Sequence, residues 1–176
     1  MLTKGDVIFM ANSNEENISN LSVGYAGISY YHCGLYIGNN HIIESVRGDK
    51  VVISSIDSYK NSPKLVCRTA CTSKFIDDVI RFAHTFVGFE YNSLFLPKQE
   101  HKLYCSELIH RAFDMANSNS FFTPQKLNYI SPDETEVSNY WKDLYGQYGY
   151  EVPHGEEGSH PNNLSLDDRF VFRFYI

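Results

Sequence analysis

The run YYHCGLYIGNNHIIESVRG, Tyr30 to Gly48, constrains the fold more than any other stretch. Two segments rich in β-branched and aromatic residues flank Gly38-Asn39-Asn40. Gly and Asn tolerate the left-handed backbone of tight turns, so a β-hairpin is expected. Turn length then decides the register. With Gly38-Asn39-Asn40 as a three-residue loop, position 37 faces 41 and position 34 faces 44. Side chains alternate by two along a strand, so His32, Gly34 and Tyr36 share one face. Glu44 then becomes a diagonal neighbour of His32 on that face. A two-residue Asn39-Asn40 turn puts Glu44 on the opposite face instead.

The rest of the chain surrounds this hairpin with strands first and helices later. GDVIFMA near the N-terminus reads as a strand, and Asn12 to Ser22 as a polar loop. KVVISSI and KLVCRT, the second after Pro63, continue the strand series. The period then changes. Phe75, Ile76, Val79, Ile80, Ala83, Phe86 and Val87 recur at helical spacing, with Ser73 as cap and Gly88 as stop. Leu108, Ile109, Ala112 and Met115 or Ala116 make a second apolar stripe. A third helix is expected from Ser131, with Pro132 in its first turn, Glu134 completing a capping box, and Val137, Tyr140, Trp141 and Leu144 buried. Gly146 to Asn163 reads as a long loop and RFVFRFYI as a closing strand. This order predicts a single α+β domain over residues 1–176, with a mainly antiparallel sheet and about three helices.

Composition excludes some partners. The net charge is −6, which argues against nucleic acid or an anionic membrane surface. No apolar run approaches the roughly 18 residues that span a bilayer. The start MLTKGDVIFMANSN lacks a basic segment followed by an apolar one, so a cytoplasmic chain is expected. Its four cysteines are then expected to be thiols. Thirteen Tyr and twelve Phe suit stacking on peptides, sugars or acyl chains, or simply a filled core and rim.

One cysteine has a distinctive position. HKLYCSELIHRAF, His101 to Phe113, sets Cys105 where a helix begins. Unpaired N–H groups and the helix dipole favour a thiolate there, and the same groups can hold an oxyanion. Position alone favours a structural cysteine, because free cysteine is among the most buried residue types. A nucleophile also needs a histidine to manage protons. Of seven histidines, His32 sits in a strand, where packing fixes its direction. A third group must orient the imidazole, and Glu44 in the next strand fits if the register allows. The bland alternative for Glu44 is an exposed carboxylate paired with Arg47 or Lys50. Cys33 points away from the His32 face and reads as core. Cys67 and Cys71 lack a second ligand pair for zinc. His154, Glu156, Glu157 and His160 read as part of a solvated flap near the cleft rather than a metal site.

Three segments together, GDVIF, HCGLYIGNNHIIES and LYCSELIHRAF, resemble the YiiX/YaeF-like branch of the NlpC-type papain-like hydrolases. The match falls on His32, Gly34, Tyr36, Gly38, Glu44, Tyr104, Cys105, Ser106 and Glu107. VGFEYN, ending at Asn92, resembles a stretch that precedes the family's cysteine. The resemblance spans most of residues 4–130 and implies a circularly permuted papain-like fold, in which the histidine strand precedes the cysteine helix. It implies Cys105 as nucleophile, His32 as general base then acid, and Glu44 as orienting group, with no metal or cofactor. Tyr31, Tyr36 and Tyr104 are expected to line the substrate site. The implied reaction is hydrolysis of an amide or isopeptide bond in a peptide-like or acylated small molecule. Two alternatives remain. The lecithin:retinol acyltransferase family, a thiol acyltransferase or lipid-deacylase type, uses a related permuted core. It carries a second histidine where Glu44 stands and reads NCEHF around the cysteine, whereas this chain reads YCSEL. The other alternative is a non-catalytic binding module on the same fold.

Overall fold

The computed structural model describes residues 1–11 and 21–176. The loop expected over Asn12 to Ser22 lies, as far as residue 20, outside the described residues. Six strands form one sheet: β1 Val7–Ala11, β2 Tyr30–Gly38, β3 His41–Ser45, β4 Val51–Ser55, β5 Lys64–Thr69 and β8 Phe170–Tyr175. Their spatial order is β4-β3-β2-β1-β5-β8, and every pairing is antiparallel. β1 is buried along its whole length, as its unbroken VIFMA run requires of a central strand covered on both faces. Two-residue strands β6 Glu90–Tyr91 and β7 Lys102–Leu103 form a separate parallel pair.

Helices α1 Ser73–Thr85 and α2 Cys105–Asn117 pack together against one face of the sheet. α1 buries Ile76, Val79 and Ala83. Its cap is Thr72, whose Oγ1 accepts from Phe75 N at 3.3 Å, one residue earlier than Ser73. α2 buries Leu108, Ile109, Ala112 and Phe113. Val7, Phe9, Cys33, Leu35 and Cys67 meet these helices, while Ile8, Met10, Tyr36, Ile42 and Val66 fill a smaller core on the far face.

The third helix differs from expectation. α3 spans Asn139–Gly146 behind an N-cap at Ser138. Ser131, Pro132 and Glu134 make only a turn, closed by Glu134 N donating to Ser131 O at 3.0 Å. Residues 132–136 are all exposed, so a helix there would bury nothing, and an isolated short helix is marginal in water. Helix forms where Trp141, Leu144 and Tyr145 can pack. Tyr145 is the anchor at 1% exposure, and Tyr140 is 55% exposed. A fourth helix, α4 Pro161–Ser165, occupies the end of the expected long loop, with Pro161 in its first turn. Among the described residues no helix is long and apolar enough to cross a membrane.

The Phe113 ring ties α2 to the rest of the core. It is fully buried, with ring centroids of Phe121 and Phe122 at 5.0 and 4.9 Å and that of Phe75 at 6.2 Å. Phe113→Ala is expected to cost about 3–5 kcal/mol in urea unfolding. Phe172→Ala, at a side chain 64% exposed, should stay within about 0.5 kcal/mol of the parent.

Candidate active site

The hairpin closes with a two-residue turn. Asn39 and Asn40 have φ of 50° and 63°, the pattern of a type I′ turn, and Gly38 pairs with His41. The expected three-residue loop is therefore absent. The pairing nevertheless shifts between Tyr36 and Gly38, with Ile37 bulged out. Beyond that bulge Tyr36 faces Ile42 and Leu35 faces Ile43, the same pairs a three-residue loop would produce. The bulge thus supplies the extra residue that places Glu44 on the His32 face. His32 Nε2 meets Glu44 Oε2 at 2.5 Å, with the residues 7% and 1% exposed. Gly34 lies between them. A Cβ there would stand 3.4 Å from the Glu44 Cβ and 3.0 Å from Ile42 Cδ1.

A second bulge lies at the other end of β2. Met10 pairs with His32 and Ala11 with Tyr30, so Tyr31 is the extra residue. Tyr30 and Cys33 face the helices, while Tyr31 packs with the far-face core. Tyr31 and His32 thereby share a side, their rings 6.3 Å apart and 30° from parallel. Asn162 of α4 fixes this strand entry, its Oδ1 accepting from Tyr30 N at 2.6 Å.

Cys105 opens α2, as its sequence position implies, and is 3% exposed. Glu107 accepts from Tyr104 N at 3.4 Å and pairs with Arg111 at 2.8 Å. The Cys105 thiol lies beside the His32 imidazole and beside Cys33, and both act on its protonation. Because Glu44 engages Nε2, Nδ1 is the edge of the ring left for Cys105. Cys33, together with His32 and its charge, holds the Cys105 thiol well below its usual range against the opposing effect of burial. Burial pushes the Cys33 thiol up instead, so the proton stays on Cys33. Burial alone would lower His32, but Cys105 and Glu44 outweigh it and raise the imidazole to about 9. For Glu44, burial acts upward, and the His32 hydrogen bond and charge lead the contacts that bring it below the usual carboxylate range. The arrangement favours a thiolate beside an imidazolium beside a carboxylate. Cys33 is core, as expected, and also a neighbour of Cys105.

The three tyrosines separate. Tyr36 is 9% exposed, and its hydroxyl accepts from Asn40 N at 3.2 Å, so it braces the turn. Tyr104 is 3% exposed beneath Phe95, ring centroids 4.8 Å apart, and its hydroxyl accepts from Ser159 N at 2.9 Å. Neither presents a free ring to a substrate. Tyr31 is half-buried beside His32. Three further residues are not among the expected site residues, although Tyr91 belongs to the VGFEYN stretch. Tyr59 donates its hydroxyl to Glu44 Oε2 at 2.6 Å. Tyr91 is close enough to Cys105 for that charge, after burial, to raise its hydroxyl. Phe95 sits at φ 51°, unusual for a bulky residue. Asn92, singled out by the resemblance, holds that loop by bonding both the N–H and the carbonyl of Leu96.

The expected solvated flap is partly a structural strap. Its His154, Glu156 and Glu157 are exposed, but Ser159 and His160 are buried. Segment 155–158 bonds main chain to main chain with residues 125–127. Ser159 then donates its hydroxyl to Ser106 Oγ at 2.9 Å and its N–H to Tyr104, holding both neighbours of Cys105. His160 is neutral, lowered by burial to about 3, and its Nδ1 accepts from Asn162 N at the start of α4. Among the described residues no group of three His, Cys, Asp or Glu side chains could hold a metal ion.

The fold has solved counterparts. The crystal structure of the metalloprotein yiiX from Escherichia coli O157:H7 aligns with a TM-score of 0.73 at 19% identity, covering 98% of this chain and 95% of that one. No curated protein sequence matches the chain significantly. A family model described as permuted papain-like amidase enzyme, YaeF/YiiX, C92 family, matches residues 1–170. The chain therefore belongs to the permuted papain-like amidases of the YaeF/YiiX family, with the fold of that family and a cysteine-hydrolase type of activity in general.

Proposed function

We propose that the chain hydrolyses an amide or isopeptide bond in a peptide or amino-acid-containing substrate, through an acyl-enzyme on Cys105. The observation that carries this reading is the buried His32–Glu44 hydrogen bond set beside a cysteine at a helix N-terminus. The Cys105 thiolate attacks the carbonyl carbon, and the C=O π electrons move to oxygen. N–H groups of the first turn of α2, which have no partner within the helix, face the resulting oxyanion. The His32 imidazolium gives its proton to the amide nitrogen, the C–N bond breaks and the amine leaves. Water then attacks the thioester as neutral His32 takes its proton. The acid departs, returning the thiolate and imidazolium. Glu44 keeps the ring in place and stabilises its cation through both steps. Tyr31, half-buried at the edge of the imidazole, is the tyrosine placed to stack on the substrate.

The solved counterpart is described as a metalloprotein. The residues described in this chain do not assemble a metal-binding group, so no step is assigned to one.

Cys105→Ala is expected to lower the hydrolysis of aminoacyl amides by a factor on the order of 10⁴ or more. It should also abolish the thioester adduct that mass spectrometry finds on the parent after incubation with a thiol-reactive acyl probe. Adduct persisting on Cys33, Cys67 or Cys71 would reject the assignment.

The pH profile follows from the signs. His32 is raised to about 9, so the imidazolium persists through neutral pH and is lost as pH climbs through that value. Hydrolysis should decline there. Cys105 alkylation by iodoacetamide should remain fast well below the ordinary thiol value of 9.0. In His32→Ala the onset of alkylation should move up toward it.

A further inference from the structure

Tyr59 ends a 3-10 turn, Ile56–Tyr59, that follows β4 directly. Several bonds hold the turn. Ser55 caps it by accepting from Asp57 N at 3.2 Å. Asn40, in the hairpin turn, donates its side-chain amide to Asp57 Oδ2 at 2.7 Å and to Ser55 Oγ at 3.3 Å. Asn40 O accepts from Ile56 N at 3.0 Å. Ile56 is buried in the far-face core. The turn that closes the hairpin of His32 and Glu44 is thus bonded to the turn that carries Tyr59.

Tyr59 touches both members of the His32–Glu44 pair. Its hydroxyl donates to Glu44 Oε2 at 2.6 Å, the same oxygen that meets His32 Nε2. Its ring lies over the imidazole at 5.6 Å between centroids and 26° from parallel. Tyr31 flanks the same imidazole at 6.3 Å. An aromatic face favours a cation beside it, and a hydroxyl donated to a buried carboxylate favours its ionised form.

We infer that Tyr59 is a positioning residue of the reaction, holding the Glu44 carboxylate by its hydroxyl and the His32 imidazolium by its ring. The inference rests on the reading of Cys105, His32 and Glu44 as the reacting set. Tyr59 touches neither thiol nor substrate in this scheme and acts through the pair. The other titratable groups facing the pair are Cys105 from α2, Cys33 and Tyr31 from β2, and the Ser54 hydroxyl of β4 also favours the ionised Glu44.

The two contacts can be separated. Tyr59→Phe keeps the ring and removes the hydroxyl, while Tyr59→Leu removes both. Without the hydroxyl the carboxylate becomes a stronger base and a stronger partner for the imidazolium, so both groups should bind protons more tightly. NMR titration of the His32 ring is expected to move upward by about half a pH unit in Tyr59→Phe. The alkaline limb of kcat/KM should move the same way, and kcat should fall about ten-fold with KM within two-fold. Tyr59→Leu should titrate below Tyr59→Phe, because the aromatic face is gone. Thermal melts of both variants establish that they fold. A Tyr59→Phe protein with an unmoved His32 titration, or with activity lost only through KM, overturns the inference. If the parent shows no hydrolysis dependent on Cys105, the nucleophile assignment fails on its own. The titration, which needs no substrate, still decides whether Tyr59 holds the pair.

Discussion

A carboxylate 1% exposed, bonded to an imidazole 7% exposed, is the constraint on which the rest of the structure depends. Taking two such groups out of water costs several kcal/mol per ion unless each finds charged and hydrogen-bonding partners. Left alone, Glu44 would take up a proton and His32 would lose one. The sheet answers by converging donors on one carboxylate: His32 from β2 and Tyr59 from the turn after β4. Only with those contacts does the charged form hold, and only a charged Glu44 raises the basicity of the imidazole facing Cys105.

That convergence depends on strand register, which is where reading the sequence both succeeds and fails. The strands, both long helices and the positions of His32, Glu44 and Cys105 are legible, because periodicity and turn residues mark them directly. The parity linking His32 to Glu44 is also legible, though by a different route from the one that occurs. Asn39-Asn40 alone make the turn, and Ile37 bulges to restore the pairing. Isoleucine carries no bulge signature, since the distortion is imposed by cores on both faces. Leu35 and Ile37 pack toward the helices while Tyr36 and Ile42 fill the far side. A one-residue slip would invert every one of them.

The parts that escape such reading are those fixed by distant contacts. The capping residues at Ser131 to Glu134 are a sound local signal, yet no apolar face follows until Trp141. Five-residue α4 is too short for a helical period, and its value lies in one side chain, Asn162, that ties down Tyr30. Tyr59 sits among β-formers and turn residues with nothing to distinguish it from a rim tyrosine. Tyr36 and Tyr104, which the resemblance marks as lining residues, are held as braces by packing and by their hydroxyl bonds.

Those braces explain how a cysteine at a helix start can be aimed. A reacting group must be held within about half an ångström, and a helix terminus is where a helix frays. Here the terminus is fastened on every side. Ser45 donates to Leu103 O at 2.5 Å, Ser159 bonds both Tyr104 and Ser106, and Glu107 bonds Tyr104 N and Arg111. The sulfur itself lies beside Cys33. Two adjacent buried thiols cannot both ionise, and the helix terminus and imidazolium lie on the Cys105 side. Cys33 therefore keeps its proton, and its thiol beside the Cys105 sulfur favours the thiolate there. A residue that reads as core filler stabilises the charge on its neighbour because it lies away from the imidazolium and keeps its proton.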